Sequence, residues 1–352
     1  MIRGVPRSPI SIGVLLAAVA AVAFGVTTPI VAWAGRDLGP LSTAALLYAG
    51  AAVASLGLRA IQGRSDAPLR RTDAGRMLAV AIVGGAIAPT LLAWGLQRSG
   101  ATIGSLLLNL EAVFTVALAR AVYREPIGPR VAFAVAAMAS GGAALTLDAS
   151  RNTSWGLAGV LAVAGATAAW ATDNTLTRPL AERDPLEVVI AKGGLGAAFT
   201  GLAALVLGEP APALIPVLAL VACGATGYGL SLRLYLLAQR RIGAGRTGSV
   251  FALAPFVGAA LAFAIGDRTA GIWSVVAAAL FALGVFLHVT ERHGHRHAHA
   301  ALEHDHVHRH DDGHHGHVHD PPFVGEHAHP HRHDHLEHTH EHAPDVHHDH
   351  VH

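Results

Sequence analysis

Residues 101–121 read Ala-Thr-Ile-Gly-Ser-Leu-Leu-Leu-Asn-Leu-Glu-Ala-Val-Phe-Thr-Val-Ala-Leu-Ala-Arg-Ala, with one acid, Glu111, and one base, Arg120. A bilayer core is about 30 Å thick, so a helix needs roughly 20 mostly apolar residues to cross it. Backbone amides cannot stay unpaired in lipid, and a run of this length and polarity is therefore expected to be a membrane-spanning helix. Working outward, nine more runs of the same kind stand at 10–33, 41–59, 77–97, 131–147, 155–174, 186–207, 213–237, 247–265 and 271–289. The fifth, 131–147, is short, and the sixth, 155–174, ends in polar residues. The predicted fold class is an all-α polytopic membrane protein of ten spans. Its Ala and Gly content (Gly84-Gly85, Gly141-Gly142, Gly224, Gly227, Gly229) suits close helix contact.

Composition agrees. The 352 residues are 52% hydrophobic and 14% charged, whereas a soluble domain carries about 25% charge. Half of the acids and all histidines but His288 lie from Glu291 onward, so the first 290 residues are more apolar still. The formal net charge of +1 gives no reason to expect nucleic acid as a partner. One cysteine, Cys223, excludes an intrachain disulfide framework and a thiolate cluster. Met1 to Ser8 is short and basic, as in a leader. A long apolar stretch and many more spans follow it, so it is read as the approach to a first membrane helix.

Arginine placement sets a direction. With the N-terminus in the cytoplasm, the cytoplasmic loops carry Arg3 and Arg7, Arg59 to Arg76, Arg120 to Arg130, Arg178 and Arg183, and Arg240 to Arg246. The other side carries Arg36, Arg98, Arg151 and Arg268. This is the positive-inside bias, and an even number of spans returns the C-terminus to the cytoplasm. The expected location is the bacterial cytoplasmic (inner) membrane.

The chain also repeats itself at a spacing of 143 residues: Arg98, Gly100 and Ala101 match Arg241, Gly243 and Ala244, and Leu110, Ala117 and Leu118 match Leu253, Ala260 and Leu261. Repeats of five spans, an odd number, must insert upside down relative to each other, the arrangement of carriers that rock around a central site. The predicted division is 1–148 for the first repeat, 149–290 for the second and 291–352 for a tail.

The stretch Gly100 to Phe114, running on to Arg124-Glu125, resembles the fourth-helix pattern of EamA-like drug/metabolite transporters, and Gly243 to Asp267 is its counterpart. The resemblance covers about residues 10–290. It implies export or exchange of a small organic solute, with no enzymatic activity. No Walker-type glycine loop suggests ATP as the driving force. Ala112 stands where the family commonly has the proline that Pro255 supplies in the second half, so a helix break is expected in the second half and not in the first. Asp267 stands near the place of a common glutamate, which Glu125 keeps in the first half.

Ionisable groups inside a span are costly and mark pathways or pairs. Glu111, two residues from Asn109, reads as a proton- or cation-coupling carboxylate near the midplane, against the plainer reading of a structural acid paired with a neighbouring helix. Asp173 and Asn174 end the sixth span and Lys192 enters the seventh, so Asp173 and Lys192 are predicted to pair, either as a gate or as mutual neutralisation. Arg233 reads as a headgroup contact. Thr27-Thr28-Pro29, Pro89-Thr90 and Pro255 are candidate helix breaks that free carbonyls. Trp94 and Trp170 are the tryptophans placed away from span ends, hence the candidates for a cavity wall; Trp33, Trp155 and Trp273 fit an interfacial belt.

The last 62 residues hold 24 histidines. With so little apolar content the tail is expected to be disordered. Its alternating imidazoles are candidate ligands for Zn, Ni, Cu or Co: His293, His295, His297, His299, His304, His306, His308, His310, His314, His315, His317, His319, His338, His340 and His342. Delivery, sensing or buffering of metal all fit, as does a pH response, because 12 acids face four arginines there and imidazole protonation would reverse the sign. No cofactor is required. Expected partners are the lipid bilayer, a small-molecule substrate and transition-metal ions, with a homodimer kept open. The alternative function is a divalent-metal carrier with the tail as collector. The spans themselves offer little to such a carrier: His288 is the one histidine, and Glu111 and Asp173 are the acids.

Overall fold

The computed structural model describes residues 9–62, 67–124, 127–152, 154–180 and 183–289, and four short segments of the tail. Among the described residues nine helices are long and apolar enough to cross a membrane. They are Ser11–Ala34, Pro40–Gln62, Arg71–Ser99, Ala101–Tyr123, Pro129–Leu147, Gly156–Leu180, Pro185–Val206, Leu214–Gln239 and Thr247–Ala264; the tenth, Ile272–His288, is apolar and shorter. The runs read from sequence fall on these ten within a few residues. The third begins earlier than its apolar run because a 3-10 turn, Arg71–Asp73, opens it. There Asp73 Oδ2 accepts the Arg70 amide at 2.9 Å and the Arg183 guanidinium at 2.8 Å. The seventh starts on a capped turn: Asp184 accepts from the Leu186 amide at 2.8 Å, and Pro185 occupies the first helical position, where its missing N–H loses nothing. Gly100, at φ 81°, is the whole connection between the third and fourth spans, a conformation that a side chain would strain.

The main span contacts are first with eighth and third with sixth, second with seventh, fifth with tenth, fourth with ninth, fourth with sixth and first with ninth, and second with eighth and third with seventh. Exchanging the first five spans for the last five leaves this set of pairs unchanged. Large apolar side chains such as Val53, Leu202, Leu205, Leu218 and Val275 point outward, away from the core, as expected of a bundle whose solvent is lipid.

The backbone irregularities fall at matching places in the two halves. A π-helical turn occupies Val83–Ile87 in the third span and another occupies Gly224–Leu230 in the eighth; the 143-residue offset carries the first onto 226–230, inside the second. The fourth span breaks at Leu108–Asn109 and the ninth at Ala252–Leu253. This corrects the expectation drawn from Ala112. The first half breaks without a proline, because a tight turn made of Leu108 N–H to Ser105 O and Asn109 N–H to Leu106 O is locked by the Asn109 side-chain amide, which also donates to Leu106 O at 2.9 Å. Pro255 sits in the first turn of the ninth span's second piece, as the sequence suggests.

Both chain ends of the helical region lie at one end of the bundle. The opposite, far end is held by carboxylates reaching across from the second half. Asp267 Oδ2 accepts from the amides of Ala101 and Thr102 at 2.6 and 3.0 Å, capping the fourth span. Glu209 accepts from the amides of Leu41 and Ser42 and from the Ser42 hydroxyl at 2.7–3.1 Å, capping the second. Burial pushes the Asp267 pKa up, but donors from Thr269, Thr102 and Ala101 outweigh it and hold the carboxyl below its ordinary value. A depressed carboxyl stabilises the fold above its unfolded pKa of about 3.9, and that contribution is lost as pH falls through the lower folded value. Asp267→Asn is therefore expected to cost about 1 kcal/mol at neutral pH, the typical size of a cap. It should also flatten the acid limb of the melting temperature below about pH 4. Fluorescence-monitored melting in detergent from neutral to acid pH checks this; an unchanged acid limb would mean that other carboxylates set it.

In the tail, four strands pair antiparallel: β1 (Gly294–His299) with β4 (Leu336–Glu341), and β2 (Leu302–His308) with β3 (His327–His333). The period-two alternation of residues in these segments matches the strand repeat. Of the candidate ligands, His295, His297, His299, His304, His306, His308, His338 and His340 lie on strands, while His293, His310, His314, His315, His317, His319 and His342 lie outside the described residues.

Candidate functional site

A cavity of about 620 Å³ runs from the middle of the bundle to the end carrying the chain termini, past Tyr123, Thr177, Arg178 and Gln239, at or near the ends of their spans. Toward the far end the same axis is filled by buried Val31, Leu92, Leu96, Ile103 and Leu106.

Its polar floor is set by the sixth and seventh spans. Asp173, 3% exposed, accepts a hydrogen bond from the Lys192 ammonium in a close ion pair. Lys192 is the chain's single lysine, the other 24 basic residues being arginine. One residue on, Asn174 donates its amide to Glu111 Oε1 at 2.7 Å. Glu111 lies in the first turn of the helical piece that restarts after the Leu108–Asn109 break, and its own amide bonds back to Leu108 O at 3.1 Å.

The wall is aromatic. The rings of Tyr48, Tyr228, Phe24, Phe251 and Tyr235 follow one another at centroid spacings of 5.0–5.6 Å, and Trp170 joins at Tyr228, 6.4 Å away. All four tyrosines of the chain line this cavity. At its mouth the Arg178 guanidinium lies over the Tyr123 ring, 4.4 Å from the centroid.

The π turn positions part of this wall. In Val83–Ile87 the Ala88 amide bonds back to Val83 O, one residue further than in an α-helix. The next residue, Pro89, has no N–H to offer. Gly84 O is thus left to side chains, and accepts from the Tyr48 hydroxyl and from Trp170 Nε1, the latter at 3.2 Å. Gly84 also has to be glycine: an added Cβ would stand 2.2 Å from the Asp173 carboxyl carbon. Thus one backbone segment fixes two aromatic rings and the acid of the ion pair.

Of the residues singled out by sequence, Glu111, Asp173, Asn174, Lys192 and Trp170 come together here. Asn109 is buried behind them and holds the helix break. Pro255 shapes the ninth span next to Phe251 without lining the cavity. Trp94 is placed elsewhere: the Arg98 guanidinium covers its ring at 3.8 Å near the far end, because arginine one turn along a helix reaches back over an aromatic face. Sequence reasoning missed Tyr48, Tyr228, Tyr235, Phe24 and Phe251. The available signal was that every tyrosine lies inside an apolar run or at its end. Among the described residues no group of three or more metal-ligating side chains gathers.

The EamA-like transporter family model matches the chain at residues 11–147 and again at 157–290. The chain belongs to that family. The EamA-like transporter is similar to an "Uncharacterized transporter" of Methanothermobacter thermautotrophicus, 27% identical over 232 residues, 64% of this chain and 67% of that protein. A solved crystal structure is similar at a TM-score of 0.57 and 20% identity, covering 81% of this chain and 99% of its own, which is a likeness of fold. The protein is therefore a multi-pass membrane transporter built of two EamA repeats.

Proposed function

We propose that this EamA-like transporter is a secondary active carrier that exports or exchanges a small organic metabolite across the bacterial cytoplasmic membrane. Glu111 is its coupling acid, and Asp173 and Lys192 form a gate that separates and re-forms. The observation that carries this reading is the cavity itself. Two acids and a lysine are held at mid-bundle, where an isolated charge is costly and persists chiefly where it pairs or meets water and cargo. The exchange-invariant packing of the spans and the matching π turns and breaks support two inverted halves that rock around this point. With the termini in the cytoplasm, as the arginines suggest, the cavity faces inward.

The tail, in this reading, binds Zn, Ni, Cu or Co and modulates the carrier. The histidine density favours a second reading, a divalent-metal carrier that collects its cargo on the tail. Deleting residues 291–352 separates the two in proteoliposomes. Organic-solute flux that persists, with an altered response to added Zn or Ni, is the expected outcome. Metal flux that vanishes with the tail while organic solutes never move would overturn the proposal in favour of the second reading.

A further inference from the structure

Resting on the transporter reading, we propose that the cargo is an organic monocation: an amine or quaternary ammonium on an aromatic-sized apolar body, its charge beside Glu111 and its body on the ring wall. Three observations lead there.

The first is charge. In the deep part of the cavity stand Glu111, Asp173 and Lys192, and the lysine is already engaged by Asp173. Glu111 is left with the Asn174 amide, and among the described residues no basic group lies within ion-pair distance of it. Glu111 is therefore an acid without a cationic partner in the deep part of the cavity, where a counter-ion is most strongly held because the surroundings screen poorly. An organic anion would meet the opposite situation. In the deep part of the cavity the positive charge is Lys192, which an anion would have to take from Asp173, stranding a buried carboxylate; the cavity's other cation, Arg178, sits at the mouth over Tyr123.

The second is the wall. Cations are drawn to the negative faces of aromatic rings, and quaternary ammonium groups are commonly recognised by several rings at once. Here Tyr48, Tyr228, Phe24, Phe251 and Tyr235 form one contiguous surface on the same cavity as Glu111. The Tyr48 hydroxyl is engaged by Gly84 O, so this ring meets the cavity without a free donor.

The third is size. About 620 Å³ lies within the range of small-molecule sites and holds an aromatic amine with room for water. A bare metal ion would leave most of that volume unfilled.

The test is equilibrium dialysis on the purified full chain in detergent, with four probes of matched shape: phenethylamine, phenyltrimethylammonium, 3-phenylpropionate and 2-phenylethanol. Both cations are expected to bind, and the carboxylate to bind at least about tenfold more weakly, the factor set by one charged contact. Glu111→Gln should weaken the cations about 10- to 100-fold on the same ground and leave the alcohol unchanged. Glu111→Asp, which keeps the charge, should stay within a few-fold of the parent. Phe251→Leu should weaken the cations several-fold through loss of one ring face. A carboxylate that binds as tightly as the amine, or a Glu111→Gln protein that keeps its cation affinity, overturns the inference. Two kinds of failure are distinguishable. If the alcohol or the carboxylate binds and is carried in proteoliposomes, the cation inference falls and the organic-solute carrier stands. If no probe binds to protein whose helical content and melting are intact, and none is carried, both fall.

Discussion

Glu111→Gln is expected to uncouple the carrier. In proteoliposomes, solute-driven proton movement, followed with a pH dye trapped in the lumen, should fall at least about tenfold, the worth of one charged contact in a poorly screened site. The helical fold should persist, because the amide still fits beside Asn174, whose side chain can turn its oxygen toward the new N–H. Solute counterflow separates the roles of the residue. A coupling acid leaves some exchange of solute for solute when it is neutralised, whereas a structural acid leaves proton coupling as it was. Proton movement at the parental rate in the Gln variant would remove Glu111 from the mechanism.

The second large effect belongs to the Asp173–Lys192 pair. Removing one member leaves the other charged and buried, which costs about 3–5 kcal/mol in comparable pairs. Asp173→Asn and Lys192→Met should each lower the melting temperature in detergent sharply, and each should express poorly. The double variant should recover much of the loss, since no stranded charge remains. Its transport then decides between the two readings of the pair. A gate that must open and close leaves the double variant folded and slow or leaky. A pair that only neutralises leaves it folded and active. Single variants that melt like the parent would show that the two charges find water or other partners, against the burial of Asp173 at 3% exposure.

How much of this was legible beforehand differs from feature to feature. The ten spans were, because length and polarity alone force a helix in lipid. The Asp173–Lys192 pair was, because two opposite charges at the same depth in adjacent spans have few other partners. The ring wall beyond Trp170 was not: Phe24, Tyr48, Tyr228, Tyr235 and Phe251 come from four different spans, and each alone fits an apolar helix or an interfacial belt. The π turn at Val83–Ile87 was hidden because Gly84-Gly85 reads as a small-residue packing patch, which it also is: Gly85 meets Gly196 of the seventh span. The break in the fourth span was missed because the cue sought was a proline; an asparagine amide bonding to the carbonyl three residues back does the same work. Trp94 was assigned to the cavity on depth alone, and depth says nothing about which way a helix face turns.

The clasps at the far end carry a consequence for how this chain can vary. Asp267 and Glu209 take hold mainly of main-chain amides at the starts of the fourth and second spans. Every amino acid but proline supplies that donor. The receiving segments can therefore drift in sequence with little effect on the seal, while the two loop acids stay sensitive to a single exchange. Random mutagenesis scored for survival of the closed far side should return tolerant positions at the half-buried Leu41 and Ser42, broken chiefly by proline, and at buried Ala101 and Thr102 tolerance of small residues, set against intolerant positions at 209 and 267.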